Sequence, residues 1–315
     1  GANVEDRVHA LEIRPERKIE AVEVLLVLDE AGARQRVEIV DRQRHDARFQ
    51  RLLHSSLIGM ILIGTDGVLL FVSDRTGWWN LYRWGENQVE PLCPMEAEFG
   101  QPQWVFGTPL YGFASARRII CSYSKNGRDH LASLDTETKA LSDIELPLTA
   151  ISQLRVSRSR VVFIGASTTE ATSIVSLDLI TEKLEVLRRS RESAVDEAYI
   201  APPRAIAFPT EGGLTAHGYF YAPRNRDYGA PADEKPPLIV MSHGGPTSSS
   251  SASQKYSIQY WTSRGIAVLD VNYGGSSGYG RAYRERLVPA PENEYATAIS
   301  SSGSSMPSAA ILAAR

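Results

Sequence analysis

The chain has 315 residues, 43% hydrophobic and 23% charged, with a formal net charge of −3 and a pI near 6.1. That length gives room for two domains and a sizeable core, and the mild acidity gives no reason to expect nucleic acid or an anionic membrane as partner. Only Cys93 and Cys121 are present, without C-x-x-C spacing, so neither a disulfide framework nor a thiolate metal site is indicated; two reduced thiols, or one bridge, are the options.

The opening GANVEDRVHALEIRPERK lacks the apolar stretch of a signal peptide, and the longest apolar run, LIGMILIG at 57–64, is too short to span a bilayer. A cytoplasmic location is expected. Residues 1–55 are arginine-rich and poor in turn residues, and KIEAVEVLLVLDEAG at 18–32 fits a helix or a strand equally well.

From residue 66 a rhythm sets in. DGVLLFVSDRTGWWNLYRW (66–84) reads as strand, polar turn and aromatic-rich strand. RRIICSYSKNGRDHLASLDTETKALSDIEL (117–146) repeats the plan with Asn126-Gly127 at the turn and a third strand after DTETK, and 159–187 repeats it again. The second strands end at Trp84, Asp135 and Asp178, a spacing of roughly 40–50 residues that suits propeller blades. A β-sandwich also has short strands at even spacing; the shared ending SLD-x-x-T-x-x-L, in SLDTETKAL and SLDLITEKL, favours the propeller. About three blades are legible where closed propellers carry about four to eight. Either residues 1–65 supply an irregular blade or part of the ring lies elsewhere.

Near residue 200 the texture changes. APPRAIAFPTEGG (201–213) reads as a linker, LTAHGYFYAP (214–223) as a strand, and PLIVMSHGGP (237–246) as a strand buried on both faces. SSASQKYSIQYWTSRG (250–265) reads as a helix closed by Gly265, and IAVLDVNYGG (266–275) as the next buried strand. Strand, helix, strand is the parallel crossover unit.

Two motifs carry chemistry. SHGGP at 242–246 follows a buried strand, where glycines let backbone N–H groups approach a ligand; in α/β hydrolases this loop lends a donor to the oxyanion hole. A plain Gly-Pro turn ending a strand fits those letters as well. Gly274-Gly275-Ser276-Ser277-Gly278 matches G-x-S-x-G, the nucleophile elbow. The hydrolase triad, however, runs Ser, then Asp or Glu, then His, and His9, His45, His54, His130, His217 and His243 all precede Ser276.

PPLIVMSHGGPTS together with IQYWTSRGIAVLDVNYGGSSGYGRAYRERL resembles the start of the hydrolase domain of the prolyl oligopeptidase family, most strongly its acylaminoacyl-peptidase and dipeptidyl-aminopeptidase-like bacterial branch. FVSDRTGWWNLYRW resembles a blade of that family's propeller, and FPTEGGLTAHGYFYAP its crossing between domains. The resemblance runs over about 66–287. It implies a partial β-propeller followed by the N-terminal part of an α/β-hydrolase domain, in a serine peptidase acting on short peptides through an acyl-serine. It also implies that Ser276 is a loop serine upstream of the true nucleophile, and that His243, Gly244 and Gly245 form the oxyanion-hole region. Glu96 and Glu98 are weak candidates for holding a substrate amine.

The expected division is 1–65 irregular or out of family, 66–200 blades, 201–287 hydrolase start and 288–315 an out-of-family tail. That tail, VPAPENEYATAISSSGSSMPSAAILAAR, has linker-like composition and no G-x-S-x-G, His or Asp. The chain is therefore expected to be truncated ahead of its nucleophile and inactive alone. It would offer about three strands of the hydrolase sheet, with PLIVM and IAVLDV unpaired and prone to self-association through exposed edges. The alternative is a non-catalytic propeller that binds peptides or proteins. No histidine pair has metal-site spacing, and no metal or cofactor is expected. His130 reads as a blade-strand residue, and Trp78, Trp79, Trp84, Trp104 and Trp261 as packing residues.

Overall fold

The computed structural model describes residues 27–28, 34–35, 58–63 and 68–287, apart from 86–87, 103–107, 193–194, 232 and 246. The expectations for the rest of 1–65, for Trp104 and for the tail 288–315 lie outside the described residues. A two-residue antiparallel pairing joins β1 (Val27–Leu28) to β2 (Arg34–Gln35).

Three four-stranded antiparallel sheets follow, each a meander of sequence neighbours. The first holds β3 (Ile58–Ile63), β4 (Leu69–Ser73), β5 (Asn80–Gly85) and β6 (Gln88–Pro91). Because β3 pairs with β4, this sheet starts at Ile58, ahead of the boundary expected at 66. The second holds β7 (Tyr111–Phe113), β8 (Arg118–Lys125), β9 (Arg128–Asp135) and β10 (Leu141–Ile144); the third holds β11 (Ala150–Val156), β12 (Arg160–Ala166), β13 (Ser173–Asp178) and β14 (Leu184–Arg189).

The turns explain the repeated letters. Asn126 and Gly127 take φ of 52° and 77°, as the tight β8–β9 hairpin requires. In SLDTETKAL the Asp135 carboxylate accepts the N–H of Glu137 at 2.9 Å and of Thr138 at 2.8 Å. In SLDLITEKL Asp178 accepts Ile180 N–H at 3.0 Å and Thr181 N–H at 2.8 Å. Lys139 and Glu182, each four residues after the aspartate, both have positive φ, 61° and 56°. The shared motif is thus one Asx turn used twice.

Side-chain alternation stacks the sheets face to face. Ile119 and Cys121 of β8 pack with Leu70, Val72 and Leu81 of the first sheet, whereas Ile120 and Leu131 pack with Val161, Phe163 and Val175 of the third. A period of two therefore gives the second sheet a neighbour on each face. Cys93 and Cys121 are both free thiols buried in the first of these cores.

The fourth sheet is mixed. It contains β15 (Arg204–Pro209), β16 (Thr215–Tyr221), β17 (Leu238–Ser242) and β18 (Ala267–Asn272) in the order β15-β16-β18-β17, with β17 and β18 parallel. The segment read as a linker is in fact strand β15: it pairs with β16 along its length and buries Phe208. The sheet has four strands rather than three, and IAVLDV is not unpaired, since β18 lies between β16 and β17 with all six residues buried. PLIVM is likewise paired, but on one side only: β17 is an edge strand with no fully buried residue, not the strand buried on both faces that its apolar run suggests, and its Val240 is 44% exposed.

Helix α1 (Tyr256–Thr262) joins β17 to β18 and is shorter than the expected 250–265. Residues 250–255 are held as loop because Ser250 bonds Asn272 through its N–H and Asp270 through its hydroxyl, at 2.7 and 2.6 Å. Gly265, at φ 84°, closes the helix with bonds from Gly265 N–H to Thr262 and Ile266 N–H to Trp261. Trp79 is buried, but Trp261 stands 38% exposed on α1 rather than in a core. No helix among the described residues is long and apolar enough to cross a membrane.

Candidate functional site

Parallel pairing of β17 and β18 brings two loops off the same sheet edge, 243–250 and 273–280. Carboxyl-terminal edges of such strands are where α/β sheets place their ligands. The loops are laced together: Ser277 N–H donates to Ser248 O at 3.0 Å, and the Ser277 hydroxyl to Thr247 O at 2.7 Å. Below them Asp270 accepts both the Ser250 hydroxyl and, at 2.5 Å, the Lys255 ammonium.

His243 joins the loops. Its Nε2 lies 2.7 Å from Ser276 Oγ, its Nδ1 lies 3.3 Å from the Gly244 carbonyl, and its ring stacks on Tyr273 at 4.6 Å. Burial holds this imidazole below its ordinary pKa, against the raising influence of the Gly244 and Gly245 carbonyls and of Asp270. Gly245 follows at φ 67°, a conformation open to glycine, and its carbonyl accepts Ser248 N–H at 3.0 Å. A Ser–His distance of 2.7 Å is that of a nucleophile and its base. Chain order could not show this contact, because the partner histidine is upstream. Yet Ser276 has 0% exposure, so no substrate carbonyl reaches its oxygen in this conformation.

A second cluster joins α2 (Arg281–Arg284) to the first sheet. Asp74, at the end of β4, accepts Arg281 at 3.0 and 2.6 Å and Arg284 at 2.6 Å. Glu98 accepts Trp79 N–H at 2.9 Å on one oxygen and Gly280 N–H at 3.0 Å on the other, with Arg284 at 3.6 Å. Arg284 also lies over the Trp79 ring at 3.9 Å. Burial raises the Glu98 pKa, opposed by the Trp79 N–H and then by Arg284. Sequence reasoning named Glu98 but neither Asp74 nor the two arginines; the only available signal was the YGRAYR pairing of two basic residues three apart on one helical turn.

Between this cluster and the sheets lies a cavity of about 450 Å³, bordered by Glu98, Tyr123, Asp129, Gln153, Ser248 and Ser277 among others. Glu96 is exposed and does not border it. Burial pushes Asp129 up to about 6, against bonds from Ile151 N–H and Ser124. His130 lies in β9, stacked on Tyr123 at 4.9 Å. Among the described residues no group of three His, Cys, Asp or Glu is placed to hold a metal ion.

No family model matches the chain. It is 26% identical over 170 residues to dipeptidyl-peptidase 4 of Giardia intestinalis, covering 52% of this chain and 20% of that protein. It is 31% identical over 86 residues to dipeptidyl aminopeptidase BIII of Pseudoxanthomonas mexicana, covering 27% of this chain and 12% of that protein. Among solved structures, a puromycin hydrolase matches with a TM-score of 0.68 and 40% identity over 73% of this chain and 35% of its own. A puromycin-hydrolyzing peptidase of Mycobacterium tuberculosis matches at 0.67 and 39%, over 70% and 34% respectively. The chain thus spans about a third of the length of these solved relatives and a fifth or less of the curated ones. These relatives are serine peptidases of the prolyl oligopeptidase family, and the chain is similar to that family over the part it shares with them.

Proposed function

We propose that this chain is part of a serine-type peptidase that hydrolyses short peptides through an acyl-serine. The three antiparallel sheets act as propeller blades (from the start of the first sheet to about 200) that cover the site, and 201–287 as the first strands of the hydrolase sheet. The observation that carries this reading is the Gly244–Gly245 backbone at the carboxyl end of β17, braced by His243. A loop so placed offers N–H donors to a developing oxyanion. Ser276 is not the nucleophile in this reading. The 315 residues contain no further G-x-S-x-G after Gly278, no His after His243 and no Asp after Asp270, so turnover needs a nucleophile, acid and base from outside this sequence. Glu98 borders the cavity but is 2% exposed with both carboxylate oxygens bonded to backbone N–H groups, so it stays a weak candidate for a substrate amine.

The test is complementation. The chain alone, given chromogenic aminoacyl and peptidyl anilides, is expected to show no turnover and no labelling of Ser276 by a serine-directed phosphonate. Co-expressed with the remaining carboxyl-terminal part of the puromycin hydrolase, it is expected to hydrolyse them. Stoichiometric phosphonate on Ser276, abolished in Ser276→Ala, would overturn the reading. A second reading, a peptide-binding module without turnover, draws on the cavity, which needs no catalytic group. Peptide binding by the chain alone, with no hydrolysis after complementation, would favour it.

A further inference from the structure

The hydrogen bonds around His243 determine where its proton sits. The Gly244 carbonyl can only accept, so the bond at 3.3 Å requires the hydrogen on Nδ1. A neutral ring with Nδ1–H has a bare Nε2, and the partner 2.7 Å from it, the Ser276 hydroxyl, must then donate. Ser276 is itself fixed: its N–H donates to Tyr273 O at 2.9 Å, and the preceding Gly275, at φ 119°, lies so close to Leu287 that a Cβ there would fall 2.0 Å from its side chain. The same Tyr273 supplies the ring on which His243 stacks.

We infer that Ser276 is a positioning residue for the Gly244–Gly245 loop: its hydroxyl, donating to Nε2, holds in place the His243 ring that grips the Gly244 carbonyl. The consequence follows from peptide geometry. The peptide joining Gly244 to Gly245 is planar and trans, so its C=O and N–H point in opposite directions. Holding the carbonyl against His243 turns the Gly245 N–H to the far side of the loop, away from the ring. Gly245 can take the φ of 67° that completes this turn without a Cβ penalty. The elbow-like serine thus works two bonds away from the donor that it aims. This inference rests on the oxyanion-loop reading only for its catalytic meaning; the lock itself is independent of it.

The lock is tested on the whole chain, labelled with ¹⁵N-histidine. Two-bond ¹H–¹⁵N correlations at neutral pH are expected to show His243 with Nδ1 protonated and Nε2 bare. In Ser276→Ala Nε2 loses its partner, so the His243 Nε2 shift should move and the Gly244 and Gly245 amide shifts should move with it. Ser276→Thr, which keeps the hydroxyl, should restore both. An Nε2–H tautomer in the unmodified chain, or unmoved glycine amides in Ser276→Ala, overturns the inference, and the first of these needs no variant to fold. Failure of the oxyanion reading looks different: the tautomer stays as stated, but the complemented enzyme carrying Ser276→Ala keeps its full kcat.

Discussion

Asp74 is 0% exposed and receives three guanidinium bonds across the junction, from Arg281 and Arg284. Removing one partner of a buried charge cluster leaves the others uncompensated, which costs about 3–5 kcal/mol. Asp74→Ala is therefore expected to destabilise the chain by that order in urea unfolding. Arg281→Ala should cost clearly less, because Arg281 is 34% exposed and water screens its share. Equal losses would show that the cluster does not work as described. Asp129 gives a pH signature. Its carboxyl is raised from 3.8 to about 6 by burial, so the folded chain holds the proton more tightly than the unfolded one. Its stabilising contribution is complete below the unfolded value and is lost as pH rises through 6. Asp129→Asn removes that loss. Compared with the parent, the variant should gain about 2–3 kcal/mol between pH 4 and pH 8, and parallel stability curves across that range would refute the assignment.

At the scale of elements, much was legible where local chemistry sets the structure. The hairpin at Asn126-Gly127 and the Asx turns at Asp135 and Asp178 are short-range events, and their letters announce them. Strand β15 escaped notice because RAIAFP is bounded by prolines and glycines; its pairing with β16, not its composition, makes it a strand. Helix α1 came out short because Ser250 serves Asp270 and Asn272 across the sheet, a tertiary demand that helical periodicity does not display. The Ser276–His243 contact was hidden for the same reason: it spans 33 positions and depends on β17 and β18 being parallel neighbours. Strand β17 carries the element-scale prediction. It presents one row of backbone groups and the 44% exposed Val240, a template for another strand. Val240→Lys should lower the self-association of the chain severalfold in analytical ultracentrifugation while leaving its unfolding midpoint nearly unchanged. Unaltered association would place the contact elsewhere.

For the whole molecule, stacking accounts for the order of the parts. The second antiparallel sheet buries one face on each of its neighbours in sequence, as Ile119 and Ile120 do on opposite sides of β8. The mixed sheet is tied back to the first one by a separate polar device, the Asp74 clamp, over separations of 207 and 210 residues. That separation has a kinetic consequence. Meander sheets are made of hairpins, whose ends meet early and cheaply, whereas contacts between distant positions form only after the loops between them have closed. On a ribosome the three sheets can close one after another as they emerge, but the clamp has no second half until Arg284 has been made. The chain should therefore acquire its strands first and its junction last. Because Arg284 covers the Trp79 ring, tryptophan fluorescence during refolding should follow the backbone signal by a separate, slower phase that Asp74→Ala abolishes.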